Sequence, residues 1–209
     1  MLAMIRIFFL GMCLTIASTS SAKNWNSGGG GSSSSVSNAF TKCMTKSIRQ
    51  LNELAHSDPE VLIKFMGPIF LTDDFSPENA RQKAFVKLAK QHDQPMSADD
   101  RIPLGELGDC GYSDLRSFGE PYASLSRIFE NQRATQLRLL NNPNATYKEF
   151  LESTTDVDGN FEDIIARTSP SAQRRFMKDM EGFQSKMWNL TQSFQKTMAV
   201  ILTKFDIGE

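Results

Sequence analysis

The sequence is poor in histidine and cysteine and has no excess of charge of either sign. It contains 2 His and 3 Cys in 209 residues. These numbers are too small for a histidine-rich zinc site, a four-cysteine metal site or a disulfide scaffold. The formal net charge is -1, from 23 Lys and Arg against 24 Asp and Glu. Because nucleic-acid binding needs an excess of positive charge on one face, this balance argues against a nucleic-acid partner.

The sequence also lacks the short motifs that mark common catalytic and nucleotide-binding sites. It has no phosphate-binding loop, no GxGxxG and no HExxH, and residues 111–113 lack the second glycine of a nucleophile elbow. The adjacent acids Asp73 and Asp74, like Asp99 and Asp100, are more typical of surface or helix-capping positions than of general acid–base catalysis. The sequence therefore predicts a protein that is not an enzyme and needs no cofactor.

The longest apolar run lies at the N-terminus. Arg6 precedes the apolar residues 7–16, and small residues follow as far as Ala22. A run of about 10 residues cannot span a bilayer, which needs roughly 20, but this order is typical of a secretory signal peptide. We expect residues 1–22 to be cleaved and the mature chain to be secreted and extracellular, with an uncleaved anchor as the alternative. No later run is apolar enough to predict stable membrane insertion.

Residues 23–37 contain four glycines followed by four serines. Such a composition has no apolar surface to bury, so it predicts a disordered tail. The remainder, residues 38–209, is predicted to form a single helical domain.

Two cysteines, Cys43 and Cys110, remain after signal cleavage. An even number of cysteines in an oxidising compartment predicts one disulfide bond between them, and two buried free thiols are the alternative. Cys110 falls in residues 92–119, which hold two prolines and four glycines with little periodicity. This pattern predicts a long irregular loop that the bond would hold against the first helix.

Apolar residues elsewhere recur at helical spacing, and no segment alternates as a strand would. Cap-and-proline signals at residues 57–60, 76–78 and 169–170 mark helix starts. From Ala172 to Phe205 apolar residues follow one another at steps of three and four, which predicts one helix of about 35 residues. The sequence thus predicts an all-α bundle of five to seven helices with one long C-terminal helix.

The long helix is predicted to be an amphipathic element of the core rather than a membrane helix. Its apolar stripe faces the interior, and its other side carries charges of both signs, which suit water. The charged residues of that side are Lys178, Asp179, Glu181, Lys186 and Lys196.

Two Asn-x-Thr sequons, at Asn144 and Asn189, predict N-glycosylation if the chain passes through a eukaryotic secretory pathway. Asn144 follows a predicted turn, whereas Asn189 lies in the long helix beside the apolar stripe.

Residues 154–163 carry alternating side chains with oxygen atoms, the ligands that Ca²⁺ prefers. Aligned on Gly159, however, an EF-hand loop would place Thr154 at its first position and Ile165 at its twelfth, so two of its strongest ligands are missing. A capped helix start is the simpler interpretation, and a divalent-cation site is the alternative. The candidate ligands are Asp156, Asp158, Asn160 and Glu162.

Part of the sequence is similar to a family of secreted nematode proteins. Residues 140–146, Leu-Asn-Asn-Pro-Asn-Ala-Thr, resemble a family turn, and residues 172–176 with residues 189–191 resemble its long helix. Residues 65–68 and 75–78 resemble the motif with which the family's sequences begin, but they lie at a different position in this chain. On these residues the chain resembles the SXP/RAL antigens, also described as the Anisakis-allergen-like cation-binding domain. The resemblance covers about a third of the chain and implies a small, secreted, antigenic all-α protein with a divalent-cation site.

These observations predict a secreted, non-catalytic helical protein that acts outside the cell as an interaction or binding module, with an unknown protein or an apolar ligand as its partner. The chain has 15 Phe, and phenylalanine at helical spacing usually forms core. The same residues also allow the alternative function, a carrier of an apolar small molecule or lipid between helices. An enzyme with an unrecognised site is a third class.

Overall fold

The computed structural model describes residues 35–71, 75–107, 112–155 and 161–207. Within these ranges the backbone forms α-helices and short 3₁₀ helices and no strand, which confirms the all-α class. The described helices outnumber the five to seven predicted, because several short ones form between the long ones. In chain order they are α1 (Ser35–Ser57), α2 (Pro59–Phe70), α3 (Ala80–Ala89), η1 (Lys90–Asp93), α4 (Ala98–Glu106), η2 (Tyr112–Phe118), α5 (Tyr122–Asn141), α6 (Tyr147–Thr155), α7 (Phe161–Ala166) and α8 (Pro170–Lys204).

Helix α8 is the long C-terminal helix that the sequence predicts, and it packs along α1. Ser169 caps its start by accepting a hydrogen bond from the amide of Ala172 at 3.3 Å, and Pro170 occupies the first turn, where no amide donor is required. The predicted apolar stripe is buried in the core. Its buried members are Phe176, Met180, Phe183, Phe194, Met198 and Ile201. Burial of each such side chain stabilises the fold by about 1.5–3 kcal/mol.

Helix α2 lies at the centre of the bundle, where α1, α3, η1 and α6 surround it. Most residues of α2 are apolar, and its polar side is limited to the exposed Glu60 and the partly buried Lys64, so the rest of the helix packs in the interior. Asp58 caps its start through the amide of Val61, and the ring of Phe65 packs against Phe150 of α6 with centroids 5.7 Å apart. Its most buried residues are Val61, Leu62, Ile63 and Phe65.

The prediction of an irregular loop at residues 92–119 was wrong over α4 and η2. Helix α4 begins at a capping interaction, in which Ser97 accepts a hydrogen bond from the amide of Asp100 at 3.1 Å. Leu104 of α4 and Leu115 of η2 are buried in the core. Helix α4 thus forms with Pro103 inside it, and its cap and the buried Leu104 favour the helix against the cost of that proline.

Arginine side chains hold these short segments by donating to backbone carbonyl groups. Arg101 of α4 donates to the carbonyls of Met96, Leu140 and Pro143 at 2.9–3.1 Å. Arg133 of α5 donates to the carbonyl of Gly105 at 2.7 Å and to that of Leu107 at 3.1 Å. These carbonyl groups lie at helix ends and turns, where no backbone amide of the same helix is available to donate to them, and the guanidinium groups supply the missing donors.

The boundary of the predicted tail also differs from the structure by three residues. Helix α1 begins at Ser35, and Val36 is already buried. Residues 35–37 therefore belong to the bundle, since Val36 can reach the core from the first turn of the helix.

No helix within the described ranges combines the length and the apolar character that crossing a membrane requires.

Gly67 lies where α2 most closely approaches the end of α3. A Cβ atom added there would lie 2.3 Å from the carbonyl oxygen of Ala89, and a backbone atom cannot move aside cheaply. We expect Gly67→Ala to lower the free energy of unfolding by about 1–3 kcal/mol, measured by urea denaturation.

Gly105→Ala is the matched control for this prediction. Its Cβ would meet only the Cδ1 atom of Leu140 at 3.3 Å, a side-chain atom that can shift. Alanine is favoured over glycine within a helix by about 0.5–1 kcal/mol, so this change should be neutral or stabilising. Equal stability of Gly67→Ala and the unmodified chain would contradict the close-approach argument.

Candidate functional site

Of the predicted glycosylation and disulfide residues, the structure describes Asn144, Asn189 and Cys43. Asn144 is exposed in the turn between α5 and α6, and Asn189 is exposed on α8. Cys43 is buried on α1, at 5% exposure. Cys110 lies outside the described residues, so its pairing with Cys43 stays a prediction.

Most of the predicted cation site also falls outside the described residues, while Glu162 lies in α7. Among the residues that the structure describes, no group of three or more His, Cys, Asp or Glu side chains is placed to hold a metal ion. The cation site therefore stays a prediction. The ligands that lie outside are Asp156, Asp158 and Asn160.

The turn that carries Asn144 has a structural role of its own. The hydroxyl of Thr146 accepts a hydrogen bond from the amide of Glu149 at 3.1 Å, and the Glu149 carboxylate accepts one from the amide of Thr146 at 2.9 Å. This reciprocal arrangement is a capping box at the start of α6. The Asn-Ala-Thr motif is thus explained by helix capping whether or not Asn144 is glycosylated.

A buried carboxylate, Asp100, connects α2, α4 and α6. The ammonium group of Lys64 donates to its Oδ2 atom at 3.1 Å, and the hydroxyl of Tyr147 donates to the same oxygen. Burial alone would raise the pKa of Asp100, but hydrogen bonds from Tyr147, Lys64 and Ser97 outweigh burial and hold that pKa below its usual value. Burial, and then the hydrogen bond to Asp100, raise the pKa of Tyr147 to about 12. The cluster is a compensated interior charge, not an open reactive group.

His92 lies next to this cluster, buried beneath α2. Its Nδ1 atom is 3.1 Å from the carbonyl oxygen of Lys64, and a carbonyl can only accept, so Nδ1 carries the proton and donates. Burial lowers the pKa of His92 more than the hydrogen bond to Lys64 raises it. His92 is therefore a neutral donor at pH 7.

A second carboxylate, Asp179 of α8, is also buried. The prediction that Asp179 faces water was therefore wrong. Tyr122 of α5 is fully buried and donates its hydroxyl hydrogen to Asp179. Burial, and then Asp179, raise the pKa of Tyr122 well above its usual value. Arg175 lies 5.7 Å above the Tyr122 ring and donates to the carbonyl of Phe118 at 2.9 Å. The hydrogen bond from Tyr122 thus compensates the burial of Asp179. The periodicity of α8 could not predict this, because Tyr122 lies in another helix.

An open groove separates the beginning of α1 from η2. Its volume is about 610 Å³, within the range of roughly 300–1,000 Å³ that ligand sites occupy. We call it the α1–η2 groove. It is lined by Asn38, Ala39, Lys42, Ser113, Asp114, Arg116, Ser117 and Phe118.

The η2 wall of the groove is held in place from behind. Leu115 is buried in the core, and the ring of Phe118 packs edge-on against Tyr122 with centroids 6.2 Å apart. Arg116 forms an ion pair with Glu130 of α5, which also accepts a hydrogen bond from the hydroxyl of Ser126 at 3.2 Å. The opposite wall is part of α1, which α8 supports. Both walls are therefore preformed, and a partner would not have to order them on binding.

Positive charge extends from the groove along the outer face of α1. Three exposed cations follow one another at helical spacing; they are Lys42, Lys46 and Arg49. We call these three residues the basic stripe. It lies on the side of α1 opposite the buried Ile48 and Leu51. The spacing of these cations is visible in the sequence, but a net charge near zero conceals such a local excess.

Comparison with family models, curated proteins and solved structures finds no match for this chain. The resemblance to the SXP/RAL antigens therefore stays a prediction.

The burial of His92 predicts how stability depends on pH. Its pKa in the folded chain lies below the ordinary 6.5, so the unfolded chain takes up the proton first as the pH falls. The free energy of unfolding should therefore decrease as the pH is lowered below about 6.5. Urea denaturation at several values between about pH 7.5 and pH 5 measures this slope.

His92→Asn identifies the contribution of this residue. The asparagine amide can still donate to the carbonyl of Lys64 but takes up no proton. We expect the variant to have a shallower slope below about pH 6.5 and to run parallel to the unmodified chain above it. The same slope in both proteins would contradict the assignment.

Proposed function

We propose that this chain is a secreted, non-catalytic helical protein that binds another protein outside the cell, and that its binding surface is the α1–η2 groove. The observation that carries the proposal is the preformed, open groove of about 610 Å³, whose lining combines cations, hydroxyl groups and apolar side chains. Binding sites commonly combine apolar surface with a few placed polar groups in this way.

The chemistry of the buried clusters favours binding over catalysis. Asp100 and Asp179 each accept a hydrogen bond from a buried tyrosine, and both carboxylates are largely shielded from solvent. Burial and these acids raise the pKa of both Tyr122 and Tyr147, so neither is poised to exchange a proton near neutral pH. The two clusters contribute to the packing of the helices, whereas the groove is open to a partner.

The groove suits a protein partner better than a lipid. A carrier of an apolar molecule encloses about 70–90% of its ligand, whereas the α1–η2 groove is open and its lining includes Lys42, Asp114 and Arg116. The apolar part of the lining, Ala39 and Phe118, is large enough for one side chain rather than an alkyl chain.

The predicted disulfide bond would join the two walls of the same groove. Cys43 follows Lys42 on α1, and Cys110 precedes the first residue of η2 by two positions. Since α1 and η2 are in contact, a bond between these cysteines is compatible with the arrangement of the two helices. It would fix the width of the groove in an oxidising compartment.

Peptide mapping of the secreted protein without reduction tests this bond. We expect the peptides that contain Cys43 and Cys110 to be recovered as one linked species, and to separate after reduction. Alkylation of both thiols without prior reduction would contradict the bond. Mapping would also identify the new N-terminus, which should be Lys23 if the signal peptide is cleaved where predicted.

Selection from a display library of random peptides tests the proposed binding function. We expect the mature protein to enrich peptides whose binding is lost in Ser113→Trp, because Ser113 is exposed at the groove and an indole there would fill it. Lys83→Trp, at an exposed position of α3 outside the groove lining, is the control and should bind as the unmodified chain does.

Two outcomes would contradict the proposal. One is that no enriched peptide distinguishes Ser113→Trp from Lys83→Trp. The other is a stoichiometric apolar adduct on the secreted protein in native mass spectrometry, which would favour the carrier function instead.

A further inference from the structure

We infer that the partner of the α1–η2 groove is an acidic polypeptide segment that places its carboxylates along the basic stripe and one apolar side chain against Phe118. This inference rests on the proposed function and specifies the class of partner.

The basic stripe on α1 is the first reason to expect an acidic partner. Lys42, Lys46 and Arg49 lie on one exposed face, and from the first to the last they span eight residues, or about 10 Å of helix. Lys46 already has an interaction within the protein, so the argument rests on Lys42 and Arg49 at the two ends. An extended peptide covers this distance in about three steps of roughly 3.3 Å, so two carboxylates about three residues apart on a bound segment match the separation of Lys42 and Arg49 along the helix. Within the described residues, Lys42 makes no hydrogen bond or ion pair, so its ammonium group is available to a partner.

The charges on the η2 wall fix the orientation of the partner. Arg116 is already paired with Glu130, and Asp114 would repel a carboxylate. Attraction for acidic groups therefore comes from α1 and not from η2. A bound segment should direct its carboxylates toward α1 and its uncharged part toward η2.

The η2 wall offers an apolar contact and hydroxyl groups for that uncharged part. The ring of Phe118 is partly exposed at the groove and is held by Tyr122, so it presents a fixed apolar surface. Ala39 faces it from α1 and leaves space between the walls. Ser113 lies at the same wall and is exposed, so its hydroxyl can contact the backbone of a peptide.

A polypeptide fits these observations better than another polyanion. A sulfated polysaccharide would use the basic stripe but carries no apolar side chain to place against Phe118. The net charge of the chain is -1, so long-range attraction of a polyanion is weak, and binding must come from local contacts.

Fluorescence anisotropy with three designed peptides tests the inference. The first carries a leucine flanked by glutamates, the second has glutamine in place of each glutamate, and the third has alanine in place of the leucine. We expect the first peptide to bind most tightly, to weaken as salt is added, and to lose affinity in both of the other versions.

Variants of the protein assign the contacts. Lys42→Glu combined with Arg49→Glu should weaken binding of the first peptide by about tenfold or more, because each reversal replaces attraction by repulsion. Ser113→Trp should weaken it too, by filling the groove. Lys83→Glu combined with Lys87→Glu reverses two exposed charges on α3 and should leave the affinity unchanged. Circular dichroism and thermal unfolding of each variant check that the bundle is intact.

Each other outcome overturns the inference in a distinguishable way. Equal binding of the glutamate and glutamine peptides refutes an acidic partner, while library peptides that need the open groove would still support the proposed function. Heparin binding that is lost in Lys42→Glu but retained in Ser113→Trp, with no binding of the first peptide, would assign the stripe to a polysaccharide. If neither the designed nor the selected peptides bind, the inference and the proposed function both fail.

Discussion

The packing of α8 along α1 is the contact on which the other features of the structure depend. It buries the apolar stripe of the longest helix and leaves the opposite face of α1 exposed. Because the inner face of α1 is occupied by the core, its cations must lie outward, and they do so beside η2. The same contact supports one wall of the α1–η2 groove. The groove and the basic stripe are thus consequences of how two long amphipathic helices share one core.

A second constraint determines where the short segments lie. Each short segment within residues 92–119 buries only one or a few apolar side chains, and arginine contacts add to this burial. Arg101, Arg133 and Arg175 donate to backbone carbonyls of the short segments and turns, and each of these contacts joins two elements. Arginine suits this role because its planar group presents several donors in fixed directions and its charge persists at every relevant pH. The η2 wall of the groove is built in this way.

The sequence predicts the helix class, the long helix and its buried face, because these depend on periodicity and capping within one segment. It does not predict α4, because Leu104 and the contacts of Arg101 act over large separations along the chain. It misplaces Asp179 for the same reason, since the hydroxyl group that makes its burial tolerable comes from Tyr122, 57 residues away. The groove was also beyond prediction, because its two walls come from separate parts of the chain.

The two buried carboxylates are engaged within the bundle, unlike Lys42 at the groove. An unpaired charge in the interior is costly, and Asp100 is stabilised there by Lys64 and Tyr147, which both donate to its Oδ2 atom. Asp179 is engaged by Tyr122 in the same way. Lys42, by contrast, pairs with no other described residue and remains hydrated on α1. A hydrated cation contributes little to folding, so its energetic value is realised when a partner carboxylate reaches it beside an apolar surface that excludes water.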